Sequence, residues 1–255
     1  MTETKVAIIT GSSSGIGAAT ARLFASKAWN VVVNFSRDPA PAEAVAEECR
    51  ALGVEAVVIK CNVAEDADCR RLAHEVETKW GRADVLVNNA GTTRFVDLKN
   101  LDGLSAEDFH AIYDVNVIGA YQMTRACVPL LKKRPVTAVV NVSSIASMMG
   151  TGSSIAYMAS KGALNAITFG LARSLGPDIR VNAIAPGLVD GSWLREGLGS
   201  ERFDSFVGFY KSRAALADVI QPEDCAKAAW FLGVDAVKTT GEVLLVDAGL
   251  RITKA

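Results

Sequence analysis

The feature that most constrains the fold is an alternation of short runs rich in Val and Ile with longer segments of helical periodicity. The predicted strands are residues 6–10, 31–35, 56–60, 84–88, 138–142, 180–185 and 242–247. They are continuously apolar, as is typical of strands buried on both faces of a parallel sheet. Helices between such strands imply right-handed crossovers. The sequence therefore predicts an α/β fold with a doubly wound parallel sheet of about seven strands and helices on both faces.

The chain shows no internal repeat, linker or low-complexity stretch, so we predict one domain over residues 1–255. One segment, about residues 188–216, interrupts the alternation of strands and helices. Its aromatic residues are Trp193, Phe203, Phe206, Phe209 and Tyr210. A long excursion after a strand is typical of a functional loop, and we predict a substrate lid. The alternative is a helical hairpin that buries its aromatic side chains for stability.

Composition excludes several classes of function. The chain is 50% hydrophobic and has a formal net charge of −1, so no strongly basic surface favours nucleic acid or an anionic membrane. No apolar run reaches the roughly 18 residues of a membrane span. The first residues, MTETKVAIITG, do not resemble a signal peptide. Five scattered cysteines without a metal-binding spacing favour reduced thiols in the cytoplasm and no metal site.

A glycine-rich turn, IITGSSSGIG, connects the first predicted strand to the first helix. Glycine permits a tight turn and a close approach of backbone to ligand, and a helix N-terminus offers free N–H groups to a pyrophosphate. At the first strand-to-helix turn this pattern predicts a dinucleotide site and makes the sheet Rossmann-type. The spacing G-x-x-x-G-x-G differs from the plain G-x-G-x-x-G, and a merely tight turn is the alternative. The predicted cofactor-binding residues of the turn are Gly11, Ser13, Ser14, Gly15, Ile16 and Gly17.

The end of the second strand, VVVNFSRDP, bears on the choice between NAD and NADP. An acidic residue there would bind the adenosine 2′-hydroxyl and repel a 2′-phosphate. This position is Phe35, and Ser36 and Arg37 follow as donors to a phosphate. Asp38 complicates the assignment, because it could pair with Arg37 or approach the ribose. The pattern favours NADP, with NAD possible.

Six elements in order resemble the short-chain dehydrogenase/reductase family. They are TGSSSGIG (10–17), NNAG (88–91), NVIG (116–119), Ser144, YMASK (157–161) and PG (186–187). The resemblance covers nearly the whole chain and brings to mind the 3-oxoacyl-carrier-protein reductase and glucose dehydrogenase branches. It implies an oxidoreductase acting on a ketone or a secondary alcohol, for which the residues after the second strand favour NADP. It also implies a homotetramer, in which the helices bearing Asn116 and Lys161 pair across one interface.

The resemblance assigns further residues to the cofactor. Those expected at the adenosine and the ribose are Asn62, Val63, Asn89, Ala90 and Gly91, and those at the nicotinamide are Pro186, Gly187 and Val189. The chain departs from the family where Gly191 replaces a frequent Thr, with Ser192 beside it as a possible substitute, and where Asn62 replaces a frequent Asp.

Tyr157 and Lys161 are predicted to form the proton-transfer pair. Carbonyl reduction needs a proton at the oxygen, and a free phenol titrates near ~10. Lys161 lies one helical turn on, where its charge favours the phenolate. The resemblance implies that Ser144 orients the substrate oxygen, that Lys161 also binds the nicotinamide ribose, and that Asn116 supports a water linking Lys161 to solvent. Ser143 is the alternative to Ser144.

Two other functional classes compete with this interpretation. One is a catalytically silent nucleotide-binding regulatory or scaffold protein of the same fold, and the other is a methyltransferase with a nucleoside cofactor. The substrate is expected to be a small carbonyl or alcohol, selected by residues 188–216, Arg94 and residues 148–150. Arg94 is either a contact for an acidic or acyl-carrier substrate or a plain loop charge. We predict no chemistry for His74 or His110.

Overall fold

The computed structural model describes residues 4–252 and contains seven parallel strands in one sheet. The strands are β1 (Val6–Ile9), β2 (Asn30–Phe35), β3 (Ala56–Lys60), β4 (Val85–Asn88), β5 (Thr137–Val142), β6 (Ile179–Pro186) and β7 (Val243–Val246). Their order across the sheet is β3-β2-β1-β4-β5-β6-β7. The predicted α/β doubly wound sheet is confirmed, and every predicted strand lies within one or two residues of an observed one. The predicted domain span of 1–255 includes residues 1–3 and 253–255, which lie outside the described residues.

Helices cover both faces of the sheet. They are α1 (Gly15–Ser26), α2 (Ala40–Ala51), α3 (Asp66–Trp80), α4 (Ala106–Tyr113), α5 (Ala120–Leu131), α6 (Ala146–Met149), α7 (Ile155–Leu175), α8 (Ser192–Leu198), α9 (Ser200–Arg213) and α10 (Pro222–Trp230). One apolar core packs α1, α2 and α10 on one face, and a second packs α3, α5 and α7 on the other. No helix within residues 4–252 is long and apolar enough to cross a membrane.

The strand order reverses between β1 and β4, and this reversal fixes the place of the site. The chain runs outward from β1 through β2 to β3, then returns to place β4 on the other side of β1. The loops that leave β1 and β4 therefore diverge over opposite faces and open a crevice at the carboxyl ends of the strands. In open α/β sheets this crevice is where ligands bind.

The segment 188–216 folds as two helices, α8 and α9, followed by a short tail. Phe203 and Tyr210 of α9 are buried in a small core of their own with Leu188 and Val219. Trp193 of α8 remains 46% exposed, and α8 has no buried residue. Buried aromatic side chains therefore anchor α9 and not α8, and the substrate lid stays a prediction.

Candidate active site

A cavity of about 540 Å³ lies at the carboxyl ends of β1 through β6. The predicted site residues that line it are Gly11, Ser13, Ser14, Gly15, Ile16, Ser36, Arg37, Asn62, Val63, Asn89, Ala90, Gly91, Ser144, Tyr157, Lys161, Pro186, Gly187 and Val189. The structure thus gathers residues from across the chain around one space. Gly17 and Asn116 do not line this cavity; they lie behind its walls.

The glycine-rich turn has the shape that a dinucleotide requires. Gly11 has φ 60°, and a Cβ there would lie 2.9 Å from the Cα of Ala90. A Cβ on Gly17 would lie 2.4 Å from the carbonyl oxygen of Gly11, so α1 packs directly against the turn. Gly15 has φ 53°, and nothing described lies within 4 Å of a Cβ placed there. The turn is therefore tight on its protein side and open on its cavity side, which fits a pyrophosphate at the start of α1.

Asn34, near the end of β2, connects this turn to two strands and was not among the predicted residues. Its Oδ1 accepts a hydrogen bond from the Gly11 amide at 2.8 Å. Its Nδ2 donates to the carbonyl oxygens of Ile59 and Cys61, both at 3.1 Å. A polar residue inside an otherwise apolar strand, VVVNF, was the signal in the sequence that could have revealed it.

The loop after β3 borders the far end of the cavity. The side-chain amide of Gln122 donates to the carbonyl oxygens of Val63 and Ala64 at 3.0 and 3.1 Å. A Cβ on Gly119 would lie 2.7 Å from Val63, so this glycine lets the loop rest on the helix. Asn62 is exposed, and its Oδ1 accepts from the Ala64 amide at 3.3 Å. The loop is therefore held from below by α5 and presents Asn62 and Val63 to the cavity.

Tyr157 and Lys161 lie one turn apart at the start of α7. The Oγ of Ser154 caps this helix by accepting from the Tyr157 amide at 3.2 Å, so Tyr157 falls in the first turn. Lys161 is 3% exposed, and its Nζ donates to the carbonyl oxygen of Val142 at 2.8 Å. The Nζ lies 5.6 Å from the centroid of the Tyr157 ring. The ammonium is thus close enough to influence the phenol.

Burial moves the two pKa values in opposite directions. Burial raises the pKa of Tyr157 to about 12, and a hydrogen bond with Ser144 partly opposes this. Burial lowers the pKa of Lys161 to about 8. At neutral pH the phenol is therefore protonated and the amine remains largely charged. This is the state in which Tyr157 can give a proton and Lys161 can stabilise the phenolate left behind.

Ser144 and Ser143 point to different partners. Ser144 opposes the rise in the pKa of the Tyr157 phenol, whereas the Oγ of Ser143 donates to the Lys161 carbonyl oxygen at 3.3 Å. The backbone after Ser144 is held by Ser147, whose Oγ donates to the Ser144 carbonyl oxygen and accepts from Asn165 of α7 at 2.9 Å. The geometry brings Ser144, not Ser143, to the phenol.

Asn116 lies in a π-helical turn, Asp114–Gly119, between α4 and α5. Its side chain is 1% exposed and joins two segments of the site. Its Oδ1 accepts from the Thr92 amide at 2.7 Å, and its Nδ2 donates to the Thr92 carbonyl oxygen and to the Ser160 Oγ at 2.9 and 3.0 Å. Asn116 therefore ties the loop after β4 to α7, beside Tyr157 and Lys161.

The Pro186–Gly187 turn is shaped by α9 and β7. The amide of Gly187 donates to the Val246 carbonyl oxygen at 2.8 Å. A Cβ on Gly187 would lie 2.0 Å from the hydroxyl of Tyr210, which itself donates to the Asp247 carbonyl oxygen at 2.7 Å. Tyr210 thus occupies the space beneath the turn and fixes this wall of the cavity.

Some cavity-lining residues were not predicted to bind cofactor or substrate individually. They are Thr92, Trp193 and Leu194; Gly191 and the possible substitute Ser192 line the cavity as well. Arg94 does not line the cavity; its Nη1 lies 2.6 Å from both carboxylate oxygens of Asp108, so it serves as a paired loop charge. His74 and His110 are exposed on α3 and α4.

Comparison with protein families and curated proteins places the chain among reductases. A family model described as enoyl-(acyl carrier protein) reductase matches residues 11–251. A protein assigned as granaticin polyketide synthase ketoacyl reductase 2, from Streptomyces violaceoruber, is 41% identical over 250 residues, which are 98% of this chain and 97% of that protein. A 3-oxoacyl-[acyl-carrier-protein] reductase from Synechocystis is 35% identical over 249 residues, or 96% of each chain.

Solved structures give the same result for the fold. A structure assigned as a short-chain dehydrogenase/reductase from Burkholderia xenovorans superposes with a TM-score of 0.91 at 43% identity, covering 99% of this chain and 100% of that one. The aldohexose dehydrogenase of Thermoplasma acidophilum gives 0.86 at 27% identity, covering 99% and 96%. These relatives are named as reductases or dehydrogenases, and they lend no support to a silent scaffold or a methyltransferase.

Proposed function

Because the chain belongs to the short-chain dehydrogenase/reductase family and is an NAD(P)-dependent oxidoreductase, we propose that it interconverts a ketone and a secondary alcohol with NADP(H) as the preferred cofactor. The observation that carries this proposal is the convergence of Ser144, Tyr157 and Lys161 on one wall of a cavity that continues to the glycine-rich turn. The reacting groups and the dinucleotide site thus share one space.

The chain's residues would hold the cofactor along the length of the cavity. The turn from Gly11 to Ile16 would bind the pyrophosphate, Asn62 and Val63 would border the adenine, and Pro186 to Val189 would face the nicotinamide. Bound NADPH supplies hydride to the carbonyl carbon when it is present.

Ser144 and Tyr157 act on the substrate oxygen. Both residues line the cavity, and Ser144 acts on the pKa of the phenol, so an oxygen placed between the two hydroxyls would accept from both. Tyr157, whose pKa is about 12, would give its proton to that oxygen, and the charged Lys161 would stabilise the resulting phenolate. In the oxidative direction the same groups would remove the proton from the alcohol.

The preference for NADP(H) rests on Ser36, Arg37 and Asp38. Ser36 and Arg37 line the cavity just beyond β2, where both can donate to a 2′-phosphate. The Oδ1 of Asp38 accepts from the Ala40 amide at 3.0 Å, at the start of α2. This hydrogen bond turns the acid toward the helix and leaves Arg37 as the charge that would meet the phosphate.

The test of the cofactor preference compares NADPH with NADH. We expect NADPH to bind more tightly, and Arg37→Leu to weaken NADPH at least ~10-fold, the effect of losing a charge-assisted phosphate contact, while leaving NADH nearly unchanged. Fluorescence titration gives both dissociation constants. Equal loss for the two cofactors would remove Arg37 from phosphate recognition.

The test of the chemistry is Tyr157→Phe. The variant lacks the acidic hydroxyl, so we expect carbonyl reduction to fall by at least ~10²-fold, the scale of general acid catalysis, with NADPH affinity retained. Tyr121→Phe, at an exposed tyrosine of α5, is the control and should keep full activity. Turnover by Tyr157→Phe at the unmodified rate would refute the assigned role.

Three further properties belong to the proposal. Exposed apolar side chains on the π turn and α7, namely Ile118 and Phe169, support a homotetramer, which light scattering would test. Five buried free thiols support a cytoplasmic protein, which cell fractionation would test.

We further propose one domain in which residues 188–216 act as the substrate lid. Hydrogen exchange that slows in α8 when substrate binds would support the lid.

A further inference from the structure

The substrate end of the cavity is bounded by Trp193. This residue lies in the first turn of α8, lines the cavity, and is 46% exposed. Its ring centroid lies 6.1 Å from that of Tyr157, with 48° between the ring planes. A large aromatic surface therefore stands beside the predicted proton donor and is available to a bound molecule.

Phe95 also packs against the Trp193 ring. The two ring centroids are 5.8 Å apart, with 57° between the planes. Phe95 in turn rests on α8 at Gly197, because a Cβ on this glycine would lie 1.9 Å from the Phe95 ring. Only a residue without a side chain allows this contact. The three residues form one packed unit, of which Trp193 lines the cavity.

The loop that carries Phe95 is fixed on both sides. The Val96 amide donates to the Ser153 carbonyl oxygen at 2.8 Å, and the hydroxyls of Thr93 and Ser153 are 2.7 Å apart. Arg94 is bound to Asp108, as described above. Ser153 directly precedes the cap of α7, so the support of Trp193 is built on the same segment that positions Tyr157.

The charges of the cavity indicate a neutral substrate. Among residues 4–252, the charged side chains that line the cavity are Arg37, at the predicted 2′-phosphate end, and Lys161, which is buried behind Tyr157. Beside Trp193 the lining is Leu194, Ser192 and Gly191. A carboxylate or phosphate on the substrate would find no cation here, whereas a flat apolar ring would find an aromatic face.

We propose that Trp193 is a specificity-determining residue that stacks on the planar ring of an uncharged ketone, and that Phe95 and Gly197 position it. The proposal rests on the carbonyl chemistry proposed above and names the substrate class of that site: ketones with an aromatic ring beyond the carbonyl. The carbonyl oxygen lies between Ser144 and Tyr157, and the ring lies against Trp193.

The test uses two ketones of the same carbon skeleton, 4-phenylbutan-2-one and 4-cyclohexylbutan-2-one. Two methylene groups separate each ring from the carbonyl, so the pair differs in ring character and not in the reactivity of the carbonyl. We expect kcat/KM for the phenyl compound to be about 3- to 10-fold higher, the range of a single aromatic contact. The same ratio is measured as affinity by calorimetry with NADP+ present, where no reduction takes place.

Four variants locate the preference. Trp193→Leu should bring the ratio close to one. Phe95→Leu and Gly197→Ala should lower the phenyl-to-cyclohexyl ratio in part. Gly197→Ala removes no aromatic side chain, and alanine favours the helix, so a lower ratio in this variant reports the displaced Phe95. Phe209→Leu, at a 56% exposed ring of α9 that does not line the cavity, should leave it unchanged.

The outcomes separate the two proposals. Reduction of both ketones with equal kcat/KM, or a phenyl preference that survives Trp193→Leu, would overturn the role of Trp193 and leave the carbonyl chemistry intact. If neither ketone is reduced, the calorimetric ratio still decides the matter: a phenyl preference lost in Trp193→Leu supports the ring site, and equal affinities overturn it. Failure to reduce any carbonyl would count against the proposed function alone.

Discussion

Lys161 is a buried cation whose ammonium donates to one backbone carbonyl, that of Val142. Its position reflects function more than stability, because burying an ammonium costs free energy that a single neutral acceptor offsets only in part. The cost appears directly in the pKa of about 8, well below the ordinary value of 10.5. A residue placed in this way is typical of an active site.

The stability of the protein should therefore depend on pH through Lys161. Between pH 8 and 10.5 the unfolded state holds a proton on this amine that the folded state has lost, so this residue's contribution to the free energy of unfolding rises with pH. Lys161→Met removes that contribution. We expect the stability of the wild type to gain roughly 3 kcal/mol relative to the variant across this window.

Urea denaturation of both proteins at several pH values measures the difference, and other titrating groups cancel in the comparison. Tyr157 stays protonated in the folded state throughout, because its pKa is about 12. A difference between the two proteins that stays constant from pH 7 to 10.5 would show that the folded state holds Lys161 at an ordinary pKa.

At the scale of single elements, the packing of α1 on the glycine-rich turn depends on Gly17. A Cβ there would lie 2.4 Å from the Gly11 carbonyl oxygen and 2.5 Å from the side-chain Nδ2 of Asn89. Both neighbours border the predicted pyrophosphate site, so Gly17→Ala should push the helix away from the turn. We expect NADPH affinity to fall at least ~10-fold, about 1.4 kcal/mol.

Gly208→Ala is the matched control for this change. Gly208 lies in α9, and nothing described is within 4 Å of a Cβ placed there. Cofactor titration and urea denaturation of the two variants separate loss of binding from loss of folding. Equal NADPH affinity in Gly17→Ala and the unmodified protein would mean that the turn tolerates the displaced helix.

A π-helical turn, Phe231–Asp235, follows α10, and a buried arginine from the sheet binds its carbonyl oxygens. Arg180 of β6 donates to the carbonyl oxygens of Leu232, Gly233 and Ala236 at 2.6, 2.8 and 3.0 Å. Arg180→Leu should leave these acceptors without that donor and cost on the order of 2–3 kcal/mol of stability. Arg70→Leu removes an exposed pair with Asp66 and should cost less than about 1 kcal/mol. Chemical denaturation compares them, and equal losses would refute the capping role.

The sequence predicted the elements well and the walls of the cavity less well. Strands buried on both faces must be apolar throughout, so β3 was found at its observed bounds, 56–60. Tyr157 and Lys161 were found because a helical turn links them along the chain, and the family resemblance is confirmed by the comparisons. Phe95, Trp193 and Gly197 meet only through packing of distant segments, which spacing along one chain does not encode.

At the scale of the whole molecule, the cavity is lined by loops that follow β1 through β6. A ligand bound there should therefore stabilise the folded state as a whole. A ligand that binds only the folded state stabilises it by about 2.7 kcal/mol at a concentration of 100 Kd. NADPH should therefore raise the melting temperature, and NADH at equal concentration should raise it less. Thermal unfolding with each cofactor measures this, and equal shifts would contradict the preference for NADP(H).

The strand order also has a consequence for synthesis. β1 pairs with β4 through residues 78 positions apart, as in Ala7 with Val85, while β2 and β3 are made first. At the usual 5–20 residues per second, roughly 4–16 s pass before that partner exists. The last 25 of those residues, from Lys60 to Val85, follow β3, so for roughly 1–5 s a nascent three-stranded sheet exposes an unpaired apolar edge along β1, which another chain could join. The strand order that opens the crevice thus includes a period of vulnerability to aggregation, and chaperone-assisted expression should raise the yield of folded protein.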